Sequence, residues 1–230
     1  MRLFLYLFLL LTACSANKNF KSLGEEYLGV QYVSDPLGEE TFPDTDPLIR
    51  RDAFDCVTFV ETVLAGEDVN TLNKIRYKDG EISFINRNHF IESDWLKNNC
   101  DIVENISSNY ANTKIRTVVI DKKNWLKKKH NIDSDFKPEI VEIEYIPYDD
   151  LIGLKITEPL IVLFITGNSG KNDKLGTDLA VVHMGFVFPD GTLRHASSKA
   201  GKVVDVNFFD YAKELKKNKN NLGITLVKIK

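Results

Sequence analysis

The chain has 230 residues, 43% of them hydrophobic and 27% charged, with a formal net charge of −3. That composition belongs to a globular protein long enough to bury a substantial core, and it excludes disordered and collagen-like chains. Near-neutral charge leaves nucleic acid no electrostatic footprint, so no nucleic-acid partner is expected.

The N-terminus sets the expected compartment. Arg2 precedes an apolar run from Leu3 to Leu11, broken only by Tyr6, which is too short to span a bilayer and reads as an export signal over residues 1–13. Leu11-Thr12-Ala13-Cys14 resembles a lipobox, so Cys14 is the expected lipidation site and residues 14–20 a tether. The bland alternative is a plain signal peptide with an incidental cysteine. No acidic residue follows Cys14, which favours an outer-membrane anchor facing the periplasm over inner-membrane retention.

From Lys21 to Val30 the apolar spacing predicts a first helix. Ser34 to Asp52, with Pro36, Gly38, Pro43 and Pro47, predicts a long loop of the kind that is commonly functional. Asp55 to Ala65 then reads as a helix with Asp55 as its N-cap and Gly66 just past its end. Further helices are expected over Asp68–Tyr77 and Phe90–Lys97. From there the period changes. Strands are predicted at Thr117–Ile120, Val141–Tyr145, Leu160–Ile165, Val181–Phe188, Leu193–Ala196, Val203–Val206 and Ile224–Ile229, with a helix at Asn207–Lys216. A polar stretch from Gly167 to Gly176 leads into the strand that carries His183, and Asp190-Gly191 marks a hairpin turn. Helices first and antiparallel strands second predict an α+β domain over residues 21–230. The lysine runs at Lys127–Lys129 and Lys213–Lys219 read as solvated helix faces, with His130 facing solvent.

Of three cysteines, Cys14 is assigned to lipid, and Cys56 and Cys100 could pair as a disulfide in an oxidising periplasm. The setting of Cys56 argues for a reactive thiol instead. In the first turn of a helix, unpaired amides and the positive end of the macrodipole stabilise a thiolate and lower its pKa. The same amides suit an oxyanion formed by attack on an amide carbonyl. A thiolate needs a base and the base an orienting group. His183 stands in an otherwise apolar strand and His195 twelve residues on, with a turn between them that folds the two strands side by side. Each histidine alone is more often structural; with Cys56 they form a candidate catalytic set.

Phe54-Asp55-Cys56, His183-Met184-Gly185 and His195-Ala196-Ser197 resemble the three signatures of the NlpC-type, papain-like cell-wall amidases. Where the common form continues its cysteine motif with Ser-Gly-Leu, this chain has Val57-Thr58-Phe59. It adds Arg76 to Ile82, Arg87-Asn88-His89-Phe90 and Ser93-Asp94-Trp95, which look like the N-acetylmuramoyl-L-alanine amidase-like branch. The resemblance implies N-terminal helices packed on a central antiparallel sheet or partial barrel. It also implies hydrolysis of the amide between N-acetylmuramic acid and L-alanine in muropeptides, with no cofactor. Cys56 would attack, His183 would act as base and His195 would fix its tautomer. Asp55, Thr58, Asn88, His89, Asp94, Trp95 and Ser197 are expected to border or bind substrate; capping and packing are the plain alternative for Asp94 and Trp95.

Three rivals stand beside this reading. Zinc could use Cys and His, but no Cys-x-x-Cys or His-Glu-x-x-His pair occurs, so no metal is expected. A γ-D-glutamyl-diamino acid endopeptidase would use the same fold on a different bond. A lipoprotein that binds muropeptides without cutting them would keep the cleft and need no thiolate. A monomer, held to the membrane by its N-terminal lipid, is expected in each case.

Overall fold

A computed structural model describes residues 22–167 and 172–230. The expected signal, Cys14 and the tether lie outside the described residues, as do Asn168, Ser169 and Gly170 of the polar stretch. Among the described residues no helix is long and apolar enough to cross a membrane.

The protein is α+β, built on a large mixed, mostly antiparallel sheet. Its strands are β1 (Gln31–Tyr32), β2 (Ala53–Phe54), β3 (Val103–Asn105), β4 (Lys114–Ile120), β5 (Glu139–Pro147), β6 (Leu160–Thr166), β7 (Val181–Val187), β8 (Thr192–Ser197), β9 (Lys202–Asn207) and β10 (Asn221–Ile229). They run in the order β2-β1-β9-β8-β7-β6-β10-β5-β4, with β3 paired to β10. Among the described residues only β1 and β2 pair in parallel.

Central β6 explains how the sheet is covered. Its seven residues are all buried, and because side chains alternate across a strand they divide between two cores. Ile161, Leu163 and Ile165 join Phe59 and Val60 of helix α1 (Cys56–Ala65). Leu160, Val162 and Phe164 join Phe208 and Ala212 of helix α6 (Phe208–Leu215). A helix therefore packs on each face. The remaining helices are α2 (Val69–Arg76), α3 (Leu96–Asn98, entered through a π-helical turn at Ile91–Trp95), α4 (Lys122–His130) and α5 (Asn172–Leu175).

Two expectations fail for local reasons. The helix predicted over Lys21 to Val30 is only a 3-10 turn at Glu25–Tyr27. Gly24 (φ 69°) and Gly29 (φ 87°) bracket it in the left-handed region, which a right-handed helix excludes. His130 does not face open solvent: its ring lies 4.7 Å from Phe84 and 4.8 Å from Trp125, and it is half-buried. It stands at the C-terminal end of α4, packed against Trp125 of the same helix.

Candidate active site

Helix α1 begins at Cys56 because Asp55 caps it. The Asp55 carboxylate accepts from the Thr58 amide at 2.8 Å, and the Thr58 hydroxyl accepts from the Asp55 amide at 3.0 Å. This reciprocal box is worth roughly 1 kcal/mol and fixes where the helix starts, hence where the thiol sits. Cys56 and Cys100 are both free thiols, so the disulfide weighed above is not formed. The amides of Met184, Val57 and Cys56 itself act on the thiol, each pulling its pKa down, so the thiol lies near β7 at the residue after His183.

The electrostatics overturn one expectation. Burial, reinforced by the Asp55 carboxylate, pushes the Cys56 thiol up to about 12, against the opposing pull of the three amides. Desolvation outweighs the helix terminus here, and the resting residue is a neutral thiol rather than the depressed thiolate anticipated from its position.

The β7–β8 hairpin brings the two imidazoles together as the turn signal implied. The strands pair antiparallel, with Phe186 opposite Arg194 and Val187 opposite Leu193, and Gly191 takes φ 80° in the turn. His183 Nε2 lies 2.6 Å from His195 Nδ1, a direct hydrogen bond. Both rings are held neutral: burial lowers His183 to about 3 and His195 to about 4, the latter despite an opposing Asp205 carboxylate. With His183 Nε2 engaged, Nδ1 is the nitrogen left for another partner. Among the described residues no hydrogen bond joins the thiol to either ring.

Two neighbours hold this pair. Gly185 is required beneath it: a Cβ there would stand 2.7 Å from the Arg194 carbonyl oxygen and 2.8 Å from His195 Cβ. Buried Arg194 forks onto Asp205 of β9 through two 2.8 Å contacts and reaches the Leu23 carbonyl at 2.9 Å, which pins β8 in register beside His195.

A small cleft opens alongside the start of α1, lined by Asp55, Val57 and Thr58 on one side and by Asp35, Leu37 and Arg87 from the long loop and its clamp. Arg87 ties that loop down, contacting Glu39 at 2.7 Å, the Leu37 carbonyl at 2.7 Å and Asp44 at 3.0 Å. Beneath the cleft lies a buried ion pair, Arg76 with Glu61 at 2.9 Å, each side chain 3% exposed. Asp35 and Leu37 of the Ser34 to Asp52 segment therefore form one wall of the cleft.

The residues expected to bind substrate separate into groups. Asp55 and Thr58 line the cleft while occupied with each other. Asn88 and His89 reach its edge, but Asn88 spends its amide on the Ile75 carbonyl and on Asn98. His89 is bonded to the Phe84 carbonyl at 2.7 Å, and burial lowers its pKa well below the usual value. Asp94 faces a different pocket and pairs with Lys122 at 3.0 Å. Trp95 is 0% exposed in the core and offers no surface to a ligand, so the packing alternative holds for it. Ser197 is buried, and its hydroxyl accepts from the Ala200 amide at 3.2 Å.

Sequence reasoning missed two tyrosines. Burial raises the hydroxyl pKa of both Tyr32 and Tyr211, and the nearby Cys56 group adds to it in second place, so both lie within electrostatic reach of the sulfur. The Tyr211 ring also sits 5.0 Å from His195 and 6.4 Å from His183. Tyr32 lies on a two-residue strand too short to show a period, and Tyr211 on an ordinary amphipathic helix. Among the described residues no group of three or more His, Cys, Asp and Glu side chains is placed to hold a metal ion.

Fold and site together define a class: an α+β protein in which a cysteine opens a capped helix packed on the strand that carries one of two hydrogen-bonded imidazoles. The chain belongs to the AmiA-like family, N-acetylmuramoyl-L-alanine amidase-like, whose model matches residues 22–223. Solved structures agree. A Legionella pneumophila protein of the DUF1460 family superposes with TM-score 0.82 at 25% identity, over 92% of this chain and 88% of that one. An N-acetylmuramoyl-L-alanine amidase from Bacteroides uniformis gives TM-score 0.71 at 27% identity, over 93% of this chain and 98% of that one. A Bacteroides fragilis protein whose name refers to a xylanase gives TM-score 0.68 at 27% identity, over 90% and 99%. A search of curated protein sequences finds no match.

Proposed function

We propose that this protein is a cysteine-dependent cell-wall hydrolase of papain-like, NlpC-type build, cleaving the amide between N-acetylmuramic acid and L-alanine in muropeptides. The observation that carries the reading is the 2.6 Å bond between His183 Nε2 and His195 Nδ1, one residue along β7 from the Met184 amide that acts on the Cys56 thiol. Family membership and the amidase-named neighbour support the choice of bond.

The chemistry follows from protonation states. Thiol and imidazoles all rest neutral near pH 7, so the proton leaves sulfur as the nucleophile attacks. For His183 to accept at Nδ1, its Nε2–H must donate to His195 Nδ1, one of the two donor–acceptor arrangements that the contact allows. The resulting imidazolium returns the proton to the leaving amine of L-alanine, and water resolves the thioester. Unpaired amides at the start of α1 would stabilise the oxyanion. A two-carboxylate glycosidase would need a free acid pair flanking the bond, whereas Glu61 is committed to Arg76. The setting we infer is an exported lipoprotein, acylated at Cys14, outer-membrane anchored and monomeric, acting on muropeptides in the periplasm.

Digestion of defined muropeptides with mass readout tests this. The expected products are a sugar ending in a free lactyl carboxylate and a peptide beginning with L-alanine, lost in Cys56→Ala. Products cut after D-glutamate would make it an endopeptidase, binding without release would make it a non-catalytic receptor, and sugar release from xylan would transfer it to glycosidase chemistry.

A further inference from the structure

A second cavity of about 240 Å³ lies on the other side of Asn88 from the cleft, and the function proposed above does not use it. Asn88 lines both. Four lysines face the second cavity: Lys78, Lys97, Lys122 and Lys137. Two are neutralised locally, Lys122 by Asp94 at 3.0 Å and Lys97 by Glu139 at 3.0 Å. Lys78 and Lys137 have no ion-pair partner among the described residues, which leaves the cavity with a surplus of two positive charges. Lys122 is the built part of the site. Its side chain is only 12% exposed, and its ammonium sits 5.0 Å over the Phe136 ring and on Asp94, so its position is fixed before any ligand arrives.

A pocket with one immobilised ammonium, two unneutralised ammoniums at its rim and an aromatic wall is matched by a flexible ligand carrying at least two carboxylates and an aliphatic stem. We propose that this lysine pocket binds the acidic peptide portion of the substrate, the part beyond L-alanine that carries free carboxylates, while the scissile amide lies at Cys56. This rests on the hydrolysis reading for the identity of the ligand, and on the pocket alone for its charge. Ionic contacts at the rim are partly solvated, so the pocket selects acidic over amidated peptides and weakens as salt rises.

The test needs no turnover. Binding of the tripeptide L-Ala-γ-D-Glu-diaminopimelate to the full chain is measured by calorimetry, against the same peptide with its carboxylates amidated, for the native protein and a Lys78→Ala/Lys137→Ala double variant. Both lysines are exposed, so the variant keeps the fold. The expected result is roughly tenfold weaker binding for the amidated peptide and, equally, for the variant with the acidic one. Equal affinity of both proteins for the acidic peptide, or no binding at all, overturns the inference. A chain that hydrolyses muropeptides while its peptide affinity ignores the lysines sinks only this inference. Lysine-dependent binding without any hydrolysis sinks only the proposed reaction.

Discussion

Replacing His195 by leucine tests the imidazole pair most directly. The ring is 1% exposed and its Nδ1 meets His183 Nε2 at 2.6 Å, so the substitution strands a buried N–H donor on His183 without opening the site to water. An unsatisfied buried polar group costs about 1–3 kcal/mol. If that cost falls on the one His183 tautomer able to accept from sulfur, the rate falls by roughly one to two decades, since about 1.4 kcal/mol is tenfold. KM should hold, because His195 does not reach the cleft beside α1. His195→Asn keeps an acceptor near the Nδ1 position and should recover most of the loss, which a purely structural role would not predict. The assay is steady-state turnover of a muramoyl peptide for the three proteins, with urea unfolding as a control for stability. Turnover by the leucine variant within twofold of the native chain would show that the pair does not orient the base.

Other expectations follow from the same geometry. Cys56→Ala should abolish turnover while shifting unfolding by less than about 1 kcal/mol, because the capping box that starts α1 does not involve the side chain it removes; denaturant melts check the second half. Gly185→Ala would press a methyl into the Arg194 carbonyl and His195 Cβ, costing about 1–3 kcal/mol and much of the activity together, as thermal unfolding and turnover would report. Glu61→Gln leaves buried Arg76 without its counter-charge, a loss of about 3–5 kcal/mol, whereas the Glu61→Met/Arg76→Met pair should recover most of it; a urea midpoint that stays put in Glu61→Gln would refute the buried pair. Acid should destabilise the protein through the histidines. His183 and His195 have pKa values of about 3 and about 4 in the fold, against 6.5 ordinarily. The unfolded chain therefore binds more protons below about pH 6.5, and stability falls with pH from there toward 4 by up to about 1.4 kcal/mol per unit per histidine. A denaturation midpoint that is flat between pH 6.5 and 4 in the native protein would contradict this.

Why some of this was legible in the sequence and some was not follows from the range of each force. Capping is local: Asp55 and Thr58 are three residues apart and settle the start of α1 between themselves, so the position of Cys56 could be read directly. Hairpin pairing is nearly local, since the Asp190-Gly191 turn fixes the register that brings His183 to His195. Arg194 and Asp205, opposite one another on β8 and β9, and the loop clamp at Arg87 depend on strand order and loop path, which no window of sequence contains. Desolvation is the least local of all. A helix N-terminus lowers a thiol's pKa by a few aligned amides, and those amides are present. The thiol nonetheless ends at about 12 because burial takes water away from it and the Asp55 carboxylate adds to the effect. That ordering bears on the mechanism: a site holding a resting thiolate would have to shelter a charge that burial opposes, whereas one that moves the proton only as the acyl carbon is attacked never has to.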